Sequence, residues 1–356
     1  MSMQKNRATN LELLRVVATL FVIILHYNNG TLGGALVYTQ GLGLNYHMVF
    51  AFEAISICAV NIFVLLSGYF SCDKKTVSIS KPFVLISEVV IFALFRYMID
   101  ICMHSKVFSI MELLNCFWPA NWYVSIYIAM YLISPYLNTL IRRLSPHEFR
   151  TMLLVLFGIF SFWTTCADLC WNLFGLNLNH LSPISSKGSI EGYSIVNFVM
   201  LYFIGAYLRK VPVVPKQRIW YCGLFSVCAV CIFFLSNICY SVSISYCNPL
   251  VIIEAVSLFR IFESLSISSN YVNAIANCSF GVYLLHTKLF QFFSIERYVT
   301  GDLFLIPVHI IFCSIAIYFM CGVLYWTYMH SLHHIVSYFA SKLNNINYGV
   351  NETMIK

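Results

Sequence analysis

Arg15 and His26 stand eleven positions apart in the first apolar segment of the chain. On an α-helix, eleven steps of about 100° make three turns and about 20°, so the two side chains share one face, about 16 Å apart along the axis. A guanidinium near one end of such a helix suits a phosphate or pyrophosphate, which its planar fork can hold through two parallel hydrogen bonds. An imidazole deeper along the same stripe suits proton abstraction from a hydroxyl, because its ordinary pKa lies near neutrality. Inside a bilayer an arginine costs at least ~2.5–3.5 kcal/mol, which favours a functional over a packing role.

Further candidates follow in chain order. Ser67-Gly68-Tyr69-Phe70 closes the second apolar run, and Lys74, Lys75 and Lys81 follow it. Ser67 and Tyr69 are candidate substrate contacts, and the lysines are candidate phosphate partners. Trp122 and Tyr123 open the fourth run; they read as an interfacial aromatic pair or as part of a binding wall. His286, in the ninth run, is placed among the substrate contacts, although alone it reads as a core histidine. Arg260 with Glu263, and Arg96 with Asp100, have the spacing of helical ion pairs. Glu53 and Glu88 have no assigned role, and His333-His334 reads as a surface pair. The 14 cysteines are scattered through apolar stretches and form no Cys/His cluster of metal-site spacing, so no metal is expected.

The elements that must position these residues are membrane helices. The 356 residues are 60% hydrophobic and 10% charged, with a mean hydropathy of +0.79. A soluble fold of this length has too little interior for that much apolar surface. The class is therefore an all-α integral membrane protein. Apolar runs fall near 11–29, 48–70, 83–103, 121–141, 151–174, 194–209, 219–241, 248–266, 274–294 and 303–329, which predicts about ten transmembrane helices. The first run contains Arg15 and His26 and reads as a retained helix, not a cleavable signal. The net charge of +7 is spread in short clusters between runs, which excludes a nucleic-acid patch. With the N-terminus inside, 14 loop cations lie inside and three outside (Lys106, Lys187 and Arg297). The positive-inside bias thus predicts both termini in the cytoplasm. The segment 175–193, which contains His180, is the longest outer loop. Residues 1–345 read as a single membrane domain and 346–356 as a short polar tail.

Five strings taken together resemble the membrane acyltransferase-3 family. They are Asn10-Leu11-Glu12-Leu13-Leu14-Arg15 with His26 following, the run Asn61–Phe70 containing Ser67-Gly68-Tyr69-Phe70, and Asn121-Trp122-Tyr123 with Ser134-Pro135-Tyr136-Leu137. Tyr202-Phe203-Ile204-Gly205-Ala206-Tyr207 and Ser279-Phe280-Gly281-Val282-Tyr283-Leu284-Leu285-His286 complete the set, in family order. The resemblance implies about ten helices in a bacterial cell membrane and transfer of an acyl group, usually acetyl from acetyl-CoA. The acceptor it implies is a sugar hydroxyl on a cell-surface polysaccharide or its lipid-linked precursor. The family's catalytic histidine and its basic partner carry over to His26 and Arg15. Where members have an arginine pair beginning the third span, this chain offers Lys74, Lys75 and Lys81. No cofactor is implied beyond acetyl-CoA as substrate. The rival class of similar composition is a transporter or flippase for a lipid-linked glycan, with Arg15 and His26 as a substrate or proton pathway. Release of free CoA thiol distinguishes the two.

Overall fold

The computed structural model describes residues 8–118, 121–176, 178, 192–343 and 346–349. Lys5, Arg7, His180, Lys187, Lys356, most of the 175–193 segment and the end of the expected tail lie outside the described residues.

Helix α1 (Thr9–Asn28) is the central post. It packs against α3 (Leu44–Ser56), α4 (Ala59–Ser71) and four later helices. Between α1 and α3 the chain makes a short helix, α2 (Ala35–Tyr38). The second apolar run is one 28-residue unit, Leu44–Ser71, bent at Ile57 and Cys58. A short strand, β1 (Thr76–Ser78), leads into α5 (Ser80–Cys102). After the short α6 (Ile110–Cys116), α7 (Trp122–Arg143) starts where the Asn121 side chain accepts from the Val124 N–H. That cap satisfies a backbone donor that the helix leaves unpaired. Pro135 sits inside α7; such prolines are tolerated in membrane helices whose neighbours re-satisfy the freed backbone groups.

α8 (Pro146–Phe157) begins with a capping box of Ser145 and Glu148 and a proline in its first turn. It runs through a widened turn, Gly158–Trp163, into α9 (Thr164–Phe174). The remaining helices are α10 (Ile195–Lys210), α11 (Arg218–Ile238), α12 (Tyr240–Ser243), α13 (Pro249–Glu263), α14 (Asn270–Asn277), α15 (Ser279–Leu285), α16 (Ile295–Val299), α17 (Leu305–Met329) and α18 (His333–Leu343). Finally β2 (Asn347–Gly349) pairs antiparallel with β1. The first residues of the expected polar tail are therefore a strand.

Seven of these segments are long and apolar enough to span a membrane: Thr9–Asn28, Leu44–Ser71, Ser80–Cys102, Trp122–Arg143, Pro146–Phe174, Pro215–Ile238 and Leu305–Met329. The protein is a multi-pass helical membrane protein. The other three runs expected to span are also helical, but shorter or broken. α10 has 16 residues and α13 has 15, and the ninth run divides into α14, α15 and a 3₁₀ stretch, His286–Phe292. About half of α10 and of α13 is buried against other helices, so protein takes the place of lipid along them.

Two of the five strings meet at the α4–α10 crossing. A Cβ on Gly68 would stand 2.1 Å from the Tyr202 carbonyl oxygen, and one on Gly205 would stand 2.2 Å from that of Leu65. Each helix presses its glycine on the other's backbone, the close approach that small residues permit.

Candidate active site

The phase inferred for α1 holds. Arg15 and His26 both line a cavity of about 470 Å³, together with Ser67 from α4, Lys74, Lys81, and Trp122 and Tyr123 from α7. Tyr69 and Lys75 are not among its lining. The Tyr69 hydroxyl is 3.3 Å from Arg209 Nη1, and its ring packs on Phe259. The chain reverses at the end of α4, so Lys74 and Lys81 stand at the same end of the bundle as Arg15.

Arg15 pairs with Glu12 one turn earlier, yet its side chain keeps 30% exposure. Lys81 Nζ donates to the Tyr127 hydroxyl at 2.6 Å and lies over the rings of Tyr127 and Tyr131. The loop carrying Lys74 is held by Asn138, whose amide donates to the carbonyls of Ser71 (2.7 Å) and Lys74 (2.8 Å). Asn138 is fully buried and is itself oriented by the Tyr202 hydroxyl at 2.8 Å. Asn138 was not among the sequence candidates. It follows the Ser134–Leu137 string directly, and only the folded chain reveals its partner loop.

His286 is buried, 1% exposed, and stands behind His26 instead of in the cavity. Its Nε2 is 2.7 Å from His26 Nδ1, and its Nδ1 is 3.0 Å from the Val282 carbonyl oxygen. A carbonyl can only accept, so the Nδ1–H of neutral His286 donates to Val282. His286 Nε2 is then the acceptor, and His26 Nδ1–H donates to it. This chain of assignments leaves His26 Nε2 with its lone pair.

The strings converge here. The Tyr283 hydroxyl of the ninth run donates to Asn121 Oδ1 at 3.0 Å, tying it to the Trp122-Tyr123 turn. Trp122 packs edge-on against Tyr193, with ring centroids 4.4 Å apart. Asn61 of α4 donates to the Tyr246 carbonyl at 2.9 Å and so fixes another ring of the cavity wall.

Other expectations resolve as follows. Arg260 and Glu263 pair at 2.6 Å. Asp100 pairs with Lys288, with oxygens 2.9 and 2.8 Å from Nζ, in place of the expected Arg96. His333 is no simple surface residue: its Nδ1 lies 3.4 Å from buried Glu88, which also accepts from the Tyr325 hydroxyl. Among the described residues no group of His, Cys, Asp and Glu is arranged to hold a metal.

Neither a curated protein nor a solved structure matches the chain. A family profile does: the one described as Acyltransferase domain matches residues 9–326, a span that contains both histidines, the lysines and every string noted above. With that match added to the cavity's contents, the chain belongs to the acyltransferase-3 family of membrane acyltransferases.

Proposed function

We propose that the protein transfers an acetyl group from acetyl-CoA to a hydroxyl of a cell-surface polysaccharide or of its lipid-linked precursor. The observation that carries this reading is the layout of one cavity, with three cations, Arg15, Lys74 and Lys81, toward one end of α1 and His26 eleven residues further along. CoA is a polyanion at its nucleotide end and a neutral thioester at the other. Its phosphates match the cationic end, and its pantetheine arm runs along the stripe to His26. The excess of loop cations at that end supports a cytoplasmic face, where acetyl-CoA is available.

His26 Nε2 takes the proton of the acceptor hydroxyl as its oxygen attacks the thioester carbonyl carbon. The C–S bond then breaks, and the departing CoA sulfur takes that proton from the imidazolium, giving an ester and free CoA thiol. General-base assistance of this kind is worth ~10²–10⁴ in rate. His286 holds His26 in the tautomer whose Nε2 is basic and accepts the Nδ1–H bond of the imidazolium that forms. Ser67, Trp122 and Tyr123 are among the polar groups of the wall and are the candidate hydrogen-bond donors to the developing oxyanion.

The test is release of CoA thiol by the purified full chain given acetyl-CoA and surface glycan, with the glycan mass rising by one acetyl group. A wild-type protein that moves glycan without consuming thioester would be a transporter, and the reading would fall.

A further inference from the structure

A second cavity, of about 340 Å³, lies at the end of α1 away from Arg15. It is lined by Asn28, Asn29, Gln40, Tyr46, Glu53 and Tyr240, all outside the five strings. Leu25, His26, Tyr193 and Tyr246 line both cavities, so the two meet at His26.

Their charges are opposite in kind. The first cavity has Arg15, Lys74 and Lys81 and, among its described lining residues, no carboxylate. The second has Glu53 and, among its described lining residues, no lysine or arginine. Glu53 is 7% exposed and accepts from Asn28 Nδ2 at 2.8 Å. Asn28 Oδ1 is buried and takes no hydrogen bond from any described residue. Glu53, Asn29 and Gln40 line this space with hydrogen-bonding groups that suit a ligand rich in O–H or N–H donors, and a carboxyl with no lysine or arginine beside it offers an anion no partner. Tyr46 and Tyr240 add the flat apolar faces on which a sugar ring can lie.

We propose that the second cavity is the acceptor subsite and that it takes a sugar residue bearing neither carboxylate nor phosphate. Glu53 is its specificity-determining group: held by Asn28, it receives the ring hydroxyls and aims one of them at His26. This rests on the reading of the first cavity as the acetyl-CoA site. The arrangement keeps the polyanionic substrate on one side of His26 and the neutral one on the other.

The experiment has two arms, on the wild type, Glu53→Gln and Gln40→Ala. Acetyl-CoA binding to the purified full chain is measured by calorimetry, and acetylation of surface glycan from cells carrying each form is mapped to individual sugars by mass spectrometry. The expected result is acetyl-CoA affinity within twofold of wild type for both variants, at least a tenfold loss of acetyl occupancy in both, and the wild-type acetyl on an uncharged or amino sugar. Gln40 is exposed on a turn, so its substitution does not threaten folding. Acetyl found on an acidic sugar, variants that acetylate as wild type, loss of acetyl-CoA binding in either variant, or a wild type that binds acetyl-CoA without acetylating glycan would each overturn the proposal. A wild type that binds no acetyl-CoA overturns the first-cavity reading instead.

Discussion

His286 decides which nitrogen of His26 is basic, and that makes it testable apart from His26. His286→Phe removes the acceptor for His26 Nδ1–H. It should lower kcat about ten- to hundredfold, the range seen when a histidine's orienting partner is removed, with acetyl-CoA affinity unchanged. His286→Gln keeps a carbonyl oxygen able to accept, so it should recover part of that rate; equal losses in the two variants would reduce His286 to packing. His26→Asn retains a hydrogen-bonding side chain that cannot take the proton, and acetylation should disappear while the protein remains inserted and abundant. Arg15→Ala should weaken acetyl-CoA binding about ten- to hundredfold, and Arg15→Lys less, as measured by titration of the purified protein. The α1 stripe was legible from spacing because a helix has a fixed period, and Arg15 and His26 fell where that period placed them. The His26–His286 pair was not, since 260 residues separate the two rings and no local pattern brings them together. Tyr69 shows the converse: it belongs to a recognisable string, yet its neighbour Gly68 supplies the helix crossing while Tyr69 turns to Arg209 and Phe259.

Among the elements, the α4–α10 crossing is sensitive to a single methyl group on either helix. Gly68→Ala or Gly205→Ala forces a Cβ against a backbone carbonyl that cannot swing aside. Each should destabilise the protein by about 1–3 kcal/mol, the usual cost of overpacking, seen as a lower thermal midpoint in detergent. Gly223→Ala in α11, where a Cβ meets nothing within 4 Å, should leave that midpoint in place. Existence and order of the helices were readable because apolar runs of bilayer length have few other uses. Breaks were harder to see. Cys278 divides α14 from α15 without a proline or glycine at the break, and the short α10 and α13 owe their length to partners that hydropathy does not reveal.

For the whole molecule, the imbalance of loop cations predicts a sidedness that labelling can check. In a cysteine-free background, an impermeant thiol reagent applied outside intact cells should modify Asp302→Cys and spare Ser341→Cys; the reverse pattern would invert the molecule. The second cavity illustrates what a linear reading leaves out at this scale. Asn28, Gln40 and Glu53 come from one stretch and Tyr240 from far along the chain, all with ordinary local composition, and only the closed bundle makes a space of them. The small sheet is the feature with the widest reach. β1 lies between Lys75 and Ser80, at the mouth of the first cavity, and its partner β2 comes some 270 positions later, with Thr76 opposite Gly349. During synthesis that mouth stays half-built until residues 347–349 have been added, so a growing chain holds His26 and His286 before it has a finished entrance. A message cut short before residue 347 should therefore give a protein that reaches the membrane with helices α1 to α18 and an open-edged doorway.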